Sequence, residues 1–379
     1  MTAANVAGLP TPCLLLDRQR MQANSDRMAA RAAELGVRLR PHVKTCKSVE
    51  IARLMCDPGH PAITVSTLRE AEYFAAAGFS DILYAVSIVP QRMDRLLALN
   101  ARGANVQVLL DAVATARAVG AVATATGQVV DAWIEIDVDG HRAGLQPDDP
   151  VLVDVARAVH ETPGTRLAGV LTHAGGAYDC RSADALESHA EQERRRCVRA
   201  ARTVRDAGIP CREVSVGSTP TALSARSLAG VTELRAGVYV FFDLVQAGLG
   251  VCRTDDIALT VLTTVISHNR PQRRLLIDAG GLALSKDHGT AEQRHDCGYG
   301  LVASVADGRP VPGLRVDAVN QEHGIVALPP DLDFAAFPVG SRLRILPNHA
   351  CMTAAAYEEY HVLDAAGEAS ERWPRCNGW

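Results

Sequence analysis

Short apolar runs alternate with helix-forming segments along the first two thirds of this 379-residue chain. Eight such runs are separated mostly by stretches rich in Ala, Leu, Arg and Glu; they are VRLRPHV, PAITVST, DILYAVS, VQVLLD, DAWIEID, LAGVLTH, REVSVGS and TELRAGVYVF. Strands that alternate with helices form parallel sheets, and eight strand–helix units are the number in a closed (β/α)8 barrel. The sequence therefore predicts an α/β fold built on a TIM-type barrel.

Start and stop signals support the helical segments. The helix that follows TPCLLLD is predicted to end at Gly36. The segment STLREAEYFAAAG begins at Ser66 and Thr67, places Glu70 three residues after Thr67 and ends at Gly78. A Thr followed by Glu at that spacing can form a capping box, and glycine is common just beyond a helix end.

The pattern changes at about Gly250, where strand-like segments follow one another: IALTVLTTVIS, RRLLIDAGG and SRLRILPNH. This pattern is typical of a second, mostly β domain. The run TPCLLLD has no place among the eight barrel strands, and we assign it to the β domain. The predicted domains are a barrel over residues 18–249 and a discontinuous β domain of residues 1–17 and 250–379.

Composition excludes several classes of function. The net charge of -4 offers no basic surface for nucleic acid or for an anionic membrane. Charged residues interrupt each apolar run before the roughly 18 residues that a membrane helix needs, and the N-terminus lacks an export signal. The ten cysteines include no CxxC pair, which is typical of reduced thiols in the cytosol. We therefore expect a cytoplasmic protein.

One basic run, Arg194–Arg196, lies within EQERRRCVRAARTVR. Glu191 and Glu193 precede it at helical spacing, so that opposite charges can pair along one helix. We interpret this segment as a solvated helix face.

Polar residues follow the predicted barrel strands, at the ends where functional residues collect in this fold. Lys44 ends the first strand, His173 ends the sixth, and Asp137–Arg142 follows the fifth. These residues are candidates for chemistry, although polar residues also follow strands wherever a loop begins. We interpret Lys47 as a solvated charge and His42 as a core or supporting histidine.

Two strand ends are suited to an anion. VSVGSTPT places Gly217, Ser218 and Thr219 where the seventh strand turns into a helix, and their backbone N–H groups and hydroxyls can bind a phosphate. The eighth strand adds Gly237, which permits close backbone approach, and Tyr239. Barrel enzymes commonly bind phosphate after these two strands. A lysine that faces such a site indicates pyridoxal phosphate bound as a Schiff base.

The segment NHAC places His349 and Cys351 two residues apart. In an extended segment this spacing points both side chains to the same face, where an imidazole and a thiolate can share one metal ion. Packing in the core is the alternative for a lone pair of this kind.

Several segments together resemble the alanine-racemase-fold family of pyridoxal phosphate enzymes; they are RPHVKTCKS, VSTLREAEYFAAAGFSDILYAV, EIDVDGHRAG, LTHAGGAY, VSVGSTPT, ELRAGVYVFFD and LPNHACMT. Within the family the chain is similar to D-serine and 3-hydroxy-D-aspartate dehydratases and, more distantly, to D-threonine aldolase. The match runs in order over nearly the whole chain. It implies a homodimer that acts on a small-molecule D-hydroxy amino acid.

The resemblance implies a role for each matching residue. Lys44 matches the lysine that binds the cofactor covalently and removes the α-proton. Arg142 matches an arginine beside the cofactor ring, and His173 and Tyr178 match pocket residues. Gly217, Ser218, Thr219, Gly237 and Tyr239 match the phosphate-binding residues.

The family resemblance also favours the metal interpretation of His349 and Cys351, because the related dehydratases use such a pair for zinc. D-threonine aldolases carry a carboxylate in place of Cys351. Sulfur favours Zn2+ over Mn2+ or another hard divalent ion.

The resemblance implies a lyase that removes water from a D-3-hydroxy amino acid, D-threo-3-hydroxyaspartate or D-serine, and releases a 2-oxo acid and ammonia. Gln321 and His323, in NQEHG, are candidates for substrate contacts, and an ordinary turn is the alternative. Retro-aldol cleavage to glycine and an aldehyde, racemisation, and noncatalytic binding of pyridoxal phosphate are alternative functions.

Overall fold

The computed structural model describes residues 6–379, which form two compact units. The β unit consists of the chain up to Arg27 and of Val238–Asn377, and the barrel unit consists of Met28–Gly237 with Gly378–Trp379. Strand β1 (Cys13–Asp17) leads into helix α1 (Arg18–Glu34), which crosses the first boundary. Residues 1–5 of the predicted β domain lie outside the described residues. In the described part, no helix is long and apolar enough to cross a membrane.

The barrel unit is built on one sheet of eight parallel strands in the order β2-β9-β8-β7-β6-β5-β4-β3. The strands coincide with the eight predicted runs, and the predicted α/β barrel is confirmed. Their bounds are β2 (Arg38–Pro41), β3 (Ala62–Val65), β4 (Asp81–Ser87), β5 (Asn105–Leu110), β6 (Val130–Ile136), β7 (Thr165–Thr172), β8 (Glu213–Val216) and β9 (Glu233–Ala236).

The sheet closes between its first and last strands, just beyond the end of β2. His42 forms a parallel bridge with Thr64 of β3, and the Val43 N–H donates to the Thr64 carbonyl over 2.9 Å. The residue interpreted as a core or supporting histidine is therefore part of the backbone closure of the barrel.

The helices of the barrel unit connect successive strands. Thr67 caps α3 by accepting the Glu70 N–H over 3.0 Å, and Glu70 accepts the Ser66 N–H over 2.9 Å, as the predicted capping signal requires. The remaining bounds are α2 (Val49–Met55), α3 (Leu68–Ala76), α4 (Met93–Asn100), α5 (Val113–Ala125), α6 (Val151–Glu161), α7 (Ala183–Asp206) and α8 (Thr219–Ser224).

Apolar side chains fill the barrel interior around Trp133. Trp133 packs with Leu83, Leu109 and Leu171, one residue from each of four neighbouring strands. Its indole N–H donates to Gln107 Oε1 over 2.6 Å, so the buried ring keeps a hydrogen-bond partner. All residues of β6 are buried, as expected of a parallel strand that is covered on both faces.

A buried ion pair joins strands at the amino-terminal end of the barrel. Arg40 of β2 donates to Glu233 of β9 over 2.7 Å and to Asp81 of β4 over 2.8 Å. The side chains of Arg40 and Glu233 are only 4% and 2% exposed. Burial raises the pKa of Glu233, but Arg40 and Ser215 outweigh it and lower the pKa, so the carboxylate stays ionised.

The β unit contains a nine-stranded, largely antiparallel sheet in the order β11-β14-β13-β12-β15-β10-β1-β16-β17. β1, which contains most of the run TPCLLLD, lies between β10 and β16 in this sheet. The bounds are β10 (Leu259–Asn269), β11 (Arg274–Ile277), β12 (Gly300–Ala303), β13 (Pro310–Val319), β14 (Gly324–Ala327), β15 (Arg342–Pro347), β16 (Glu359–Leu363), β17 (Ala369–Pro374), α9 (Leu244–Gly248), α10 (Gly281–Leu284) and α11 (Ala350–Ala354).

Replacing Arg40 by Met tests the buried ion pair. The Arg40→Met variant leaves Glu233 buried without its main partner, and we expect the free energy of unfolding to fall by roughly 3 kcal/mol. Arg38→Met is the matched control, because Arg38 lies on the same strand and pairs with Glu213 while its side chain is 60% exposed. The control should lose at most about 1 kcal/mol. Equal losses in urea denaturation would show that the buried pair contributes no more than the exposed one.

Candidate active site

Lys44 lies in a turn at the carboxyl end of β2, three residues after the last strand residue, Pro41. The Lys47 N–H donates to the Val43 carbonyl over 2.7 Å and closes this turn. The Lys44 N–H points to Nδ1 of His42 at 3.4 Å. The Lys44 side chain is exposed, so the strand end presents an accessible amine.

Lys47 forms a largely buried ion pair, and its interpretation as a solvated charge is wrong. Its Nζ lies 2.9 Å from Glu70 Oε1, and the two side chains are 16% and 0% exposed. Glu70 caps the first turn of α3 at the same time. The turn that carries Lys44 is therefore fixed to the helix that follows β3.

His173 directly follows β7 and is held as a neutral imidazole. Its Nδ1 lies 3.3 Å from the Gly217 carbonyl. Because a carbonyl only accepts, Nδ1 must carry the hydrogen and Nε2 the lone pair. Burial first, and then the positive charges of Lys44 and Arg142, lower the pKa of His173 to about 3. Burial and the charge of Lys44 likewise lower the pKa of His42 well below its ordinary value.

Arg142 lies in the loop after β6, where its guanidinium donates to Glu135 over 3.1 Å. The Arg142 side chain is 55% exposed, whereas Glu135 is buried and also accepts from the Ser87 hydroxyl over 3.4 Å. The buried carboxylate of Glu135 therefore binds the guanidinium of Arg142, while more than half of the arginine side chain remains accessible to solvent.

Two aspartates fix the loop that carries Arg142. Asp137 Oδ1 accepts the Gly140 N–H over 2.7 Å. Asp139 Oδ2 accepts the Gly176 N–H over 2.9 Å, which joins this loop to the loop after β7. Tyr178 lies in that second loop, in a 3-10 turn over Gly175–Asp179, and is partly buried.

Gly217 and Gly237, the two glycines proposed for the phosphate site, lie so close to neighbouring backbone that no side chain fits at either position. A Cβ on Gly217, whose φ is +133°, would lie 2.2 Å from the Arg235 carbonyl oxygen. A Cβ on Gly237 would lie 2.5 Å from the His42 carbonyl oxygen. The sequence predicts close backbone approach at Gly237. The group that approaches Gly237 is the backbone of His42, two residues before Lys44.

The backbone N–H groups of the turn Gly217–Thr219 were expected to be available for a phosphate, but two of them donate to protein acceptors. The Gly217 N–H donates to Glu193 over 2.8 Å, and the Ser218 N–H donates to the Thr221 hydroxyl over 3.0 Å. Ser218 also caps α8 through its side chain, and Thr219 is buried as the first residue of that helix. The turn is therefore ordered by the protein itself.

Glu193 is a site residue that the sequence analysis missed. Glu191, whose side chain is 51% exposed and pairs with the partly buried Arg194, fits the predicted solvated face, but Glu193 is only 2% exposed. It accepts N–H groups from Gly217, over 2.8 Å, and from Ala174, over 3.4 Å. A usable signal was present in α7, because Glu193 lies in its stripe of buried residues, Leu186, Ala190, Cys197, Ala201 and Val204.

Arg235 is the second buried residue that sequence reasoning missed. Its guanidinium donates to the Thr172 carbonyl on β7 and to the Ser215 hydroxyl on β8. Ser215 donates in turn to Glu233 over 2.7 Å. No motif distinguishes an inward-facing arginine within ELRAG from an ordinary strand residue.

Tyr239, the remaining candidate for the phosphate site, is fully buried in a 3-10 turn over Val238–Val240. This turn belongs to the β unit and begins directly after Gly237.

The candidate metal pair of the β unit does not lie in an extended segment, and that part of the prediction is wrong. β15 ends at Pro347, His349 precedes α11, and Cys351 lies in the first turn of this helix. The two side chains nevertheless meet, because Cys351 is hydrogen-bonded to His349. Asp243 accepts the N–H of Ala350, the residue between them, over 3.0 Å.

Asp287 orients the imidazole of His349 through a 2.5 Å contact between its Oδ2 and Nδ1. Burial lowers the pKa of His349, but the hydrogen bonds to Asp287 and Cys351 outweigh it and raise the pKa to about 11. A carboxylate on Nδ1 leaves Nε2 as the nitrogen that can bind a metal, an arrangement common around zinc. In residues 6–379, no three His, Cys, Asp or Glu side chains converge as a ready-made metal site.

The segment NQEHG forms the turn between β13 and β14. Gln321 and His323 are exposed. The carbonyls of Asn320 and Gln321 accept the N–H groups of Gly281 and Leu282 over 2.7 and 3.1 Å, so the backbone of the turn supports the start of α10. These contacts account for the shape of the turn without a ligand.

Comparisons with known proteins match both parts of the chain. Residues 16–245 match the family described as alanine racemase, N-terminal domain, and residues 258–363 match a serine dehydratase domain. The chain belongs to the alanine-racemase-fold family. This membership agrees with the eight-stranded barrel and with the separate β unit.

Relatives within the alanine-racemase-fold family cover almost the whole chain. D-threo-3-hydroxyaspartate dehydratase of Delftia sp. strain HT23 is 51% identical over 98% of this chain and 98% of its own length. D-serine dehydratase of Dictyostelium discoideum is 31% identical over 95% of each chain. A solved structure of a cysteine-to-alanine mutant of D-threo-3-hydroxyaspartate dehydratase in the metal-free form has a TM-score of 0.95 and 49% identity, over 99% of this chain and 100% of that chain.

The neutral state of His173 predicts a pH dependence of stability. Because the pKa of His173 is about 3 in the folded chain and about 6.5 when unfolded, only the unfolded chain binds this proton between those values. The free energy of unfolding should therefore fall with decreasing pH, with His173 contributing about 1 kcal/mol per pH unit between about pH 6 and 4.

Urea denaturation of the wild type and of His173→Gln checks this contribution. The Gln variant, which cannot take up the proton, should lose stability less steeply as the pH falls. His160→Gln, an exposed position on α6, is the control and should follow the wild type. Parallel pH curves for the wild type and His173→Gln would contradict the prediction.

Proposed function

We propose that this chain is a dehydratase that removes water from a D-3-hydroxy amino acid and releases a 2-oxo acid and ammonia. The observation that carries the proposal is the 51% identity, over 98% of both chains, to D-threo-3-hydroxyaspartate dehydratase. D-threo-3-hydroxyaspartate is accordingly the first candidate substrate, and D-serine is the second.

Pyridoxal phosphate fits the residues at the carboxyl end of the barrel. An accessible lysine amine, a neutral histidine and an accessible arginine occur together there; burial and the charges of the lysine and the arginine keep the histidine neutral. In this assignment Lys44 binds the cofactor covalently, and Arg142, His173 and Tyr178 surround its ring. The residues assigned to its phosphate are Gly217, Ser218, Thr219, Gly237 and Tyr239.

Pyridoxal phosphate, when bound, supplies an electron sink for the pair left at Cα after deprotonation. Lys44 is the residue that accepts the α-proton of the D-substrate. The turn of Lys44 is held on one side by the Lys47–Glu70 ion pair and on the other by the barrel closure at His42. These contacts limit the positions that the amine can take.

A divalent metal fits the pair His349 and Cys351, and zinc suits imidazole and thiolate donors. The metal, when bound, supplies a Lewis acid for the departing β-hydroxyl. Asp287 positions His349 through Nδ1, and Asp243 fixes the backbone N–H between the two donors. The net reaction balances, because the water lost in elimination is returned when the enamine product is hydrolysed to the 2-oxo acid and ammonia.

A cytosolic homodimer completes the proposal, because the family resemblance implies this assembly. Light scattering of the purified protein should give about twice the 40.3 kDa mass of one chain. A monomeric mass for the active protein would contradict this part of the proposal.

Product analysis tests the reaction. Purified protein, stripped of metal and then given zinc, is incubated with D-threo-3-hydroxyaspartate, D-serine and D-threonine. We expect ammonia and a 2-oxo acid in equal amounts, lost with chelator and restored by zinc. Glycine with an aldehyde would make the protein an aldolase, the L-enantiomer of the substrate would make it a racemase, and no turnover would leave a noncatalytic binding protein.

Two variants serve as controls for the assay. Lys44→Ala should lose the visible absorption band of bound pyridoxal phosphate together with the activity, because no other residue is assigned to the covalent bond. Lys286→Ala, in the β unit, should keep both. Retention of the band by Lys44→Ala would overturn the cofactor assignment.

A further inference from the structure

The carboxylate of Glu193 lies beneath the turn Gly217–Thr219 rather than on the surface of α7. One oxygen, Oε1, accepts the N–H of Gly217 over 2.8 Å and the N–H of Ala174 over 3.4 Å. The same carboxylate is hydrogen-bonded to the Thr221 side chain. One buried group therefore contacts the segment after β7, the segment after β8 and the first turn of α8.

Each of these contacts supports a residue assigned to the cofactor. Ala174 follows His173, whose ring lies 3.3 Å from the Gly217 carbonyl. Thr221 accepts the Ser218 N–H over 3.0 Å. Both backbone groups of Gly217 therefore have a partner: its N–H donates to Glu193, and its carbonyl lies beside His173. We propose that Glu193 is a positioning residue that preorganises the turn Gly217–Thr219 for the phosphate of pyridoxal phosphate.

This inference rests on the proposed function and adds a residue to the same site. Its physical basis is the cost of ordering: a turn that is already fixed loses no conformational freedom when the phosphate binds. Without an acceptor, the buried Gly217 N–H would favour other orientations of the peptide, because a buried donor without a partner is unfavourable. The phosphate would then have to order the turn itself.

The acceptor atoms of Glu193 matter more than its charge. A negative charge beneath a phosphate would by itself weaken binding. The buried guanidinium of Arg235 offsets this charge, since the charge of each group shifts the pKa of the other. An amide in place of the carboxylate keeps an oxygen for the Gly217 and Ala174 N–H groups and should therefore preserve the turn.

Three variants of the full-length protein separate these effects. Glu193→Gln keeps the acceptor and removes the charge, and Glu193→Leu removes both at similar volume. Glu191→Leu is the matched control, two residues away on the exposed face of the same helix. Each protein is freed of cofactor and titrated with pyridoxal phosphate and with pyridoxal, which lacks the phosphate.

We expect Glu193→Leu to bind pyridoxal phosphate about tenfold or more weakly, as expected for a buried N–H that loses its partner, and to bind pyridoxal within about threefold of the wild type. Glu193→Gln and Glu191→Leu should bind both compounds within about threefold of the wild type. Rescue by the amide, together with selectivity for the phosphate-bearing compound, distinguishes positioning from a general loss of structure.

Three results would overturn the inference while leaving the proposed function in place. They are unchanged or tighter binding of pyridoxal phosphate by Glu193→Leu, equal weakening of both compounds, and failure of Glu193→Gln to restore binding. If the wild type itself bound neither compound, the proposed function would fall as well. Should Glu193→Leu not fold, Thr221→Val takes its place, because it removes a hydroxyl from the same network. Weaker binding of pyridoxal phosphate with unchanged binding of pyridoxal would then support the inference. Unchanged binding of pyridoxal phosphate, or equal weakening of both compounds, would overturn it.

Discussion

The carboxyl ends of three barrel strands depend on one buried cation, the guanidinium of Arg235 on β9. It donates to the Thr172 carbonyl on β7 and to the Ser215 hydroxyl on β8. Burying a guanidinium costs several kcal/mol unless opposite charges accompany it. Burial lowers the pKa of Arg235, and Glu233 and Glu193 oppose that change. The strand ends and the two carboxylates therefore stabilise one another.

These groups form part of a polar chain through the barrel interior. Arg40, near the amino-terminal end, contacts Glu233, and Glu233 accepts from Ser215, which Arg235 also contacts. The charge of Arg235 then acts on Glu193, which receives the Gly217 N–H at the carboxyl end. Residues that stabilise one end of the barrel are therefore physically connected to residues that shape the candidate site at the other end.

Features that depend on local backbone geometry could be predicted from the sequence. The alternation of apolar runs and helices indicated eight strands, and the Thr67–Glu70 spacing indicated a cap, because both follow from local geometry. Contacts between side chains that are distant in the sequence could not be predicted. Lys47 and Glu70 lie far apart in sequence, so nothing local shows that they pair. His349 and Cys351 were matched by family resemblance, but the short helix that begins between them was not expected.

The neutral histidines beside Lys44 favour one-base chemistry. A racemase of this fold needs a second acid or base, but His173, whose pKa is lowered to about 3, is not an imidazolium acid at neutral pH, and its free nitrogen Nε2 is a weak base. Burial and Lys44 keep His42 neutral in the same way. The proposed role of Lys44 in taking the α-proton therefore has no competitor in either histidine. A lyase requires only this one transfer at Cα, whereas a racemase would need a second group that neither histidine supplies.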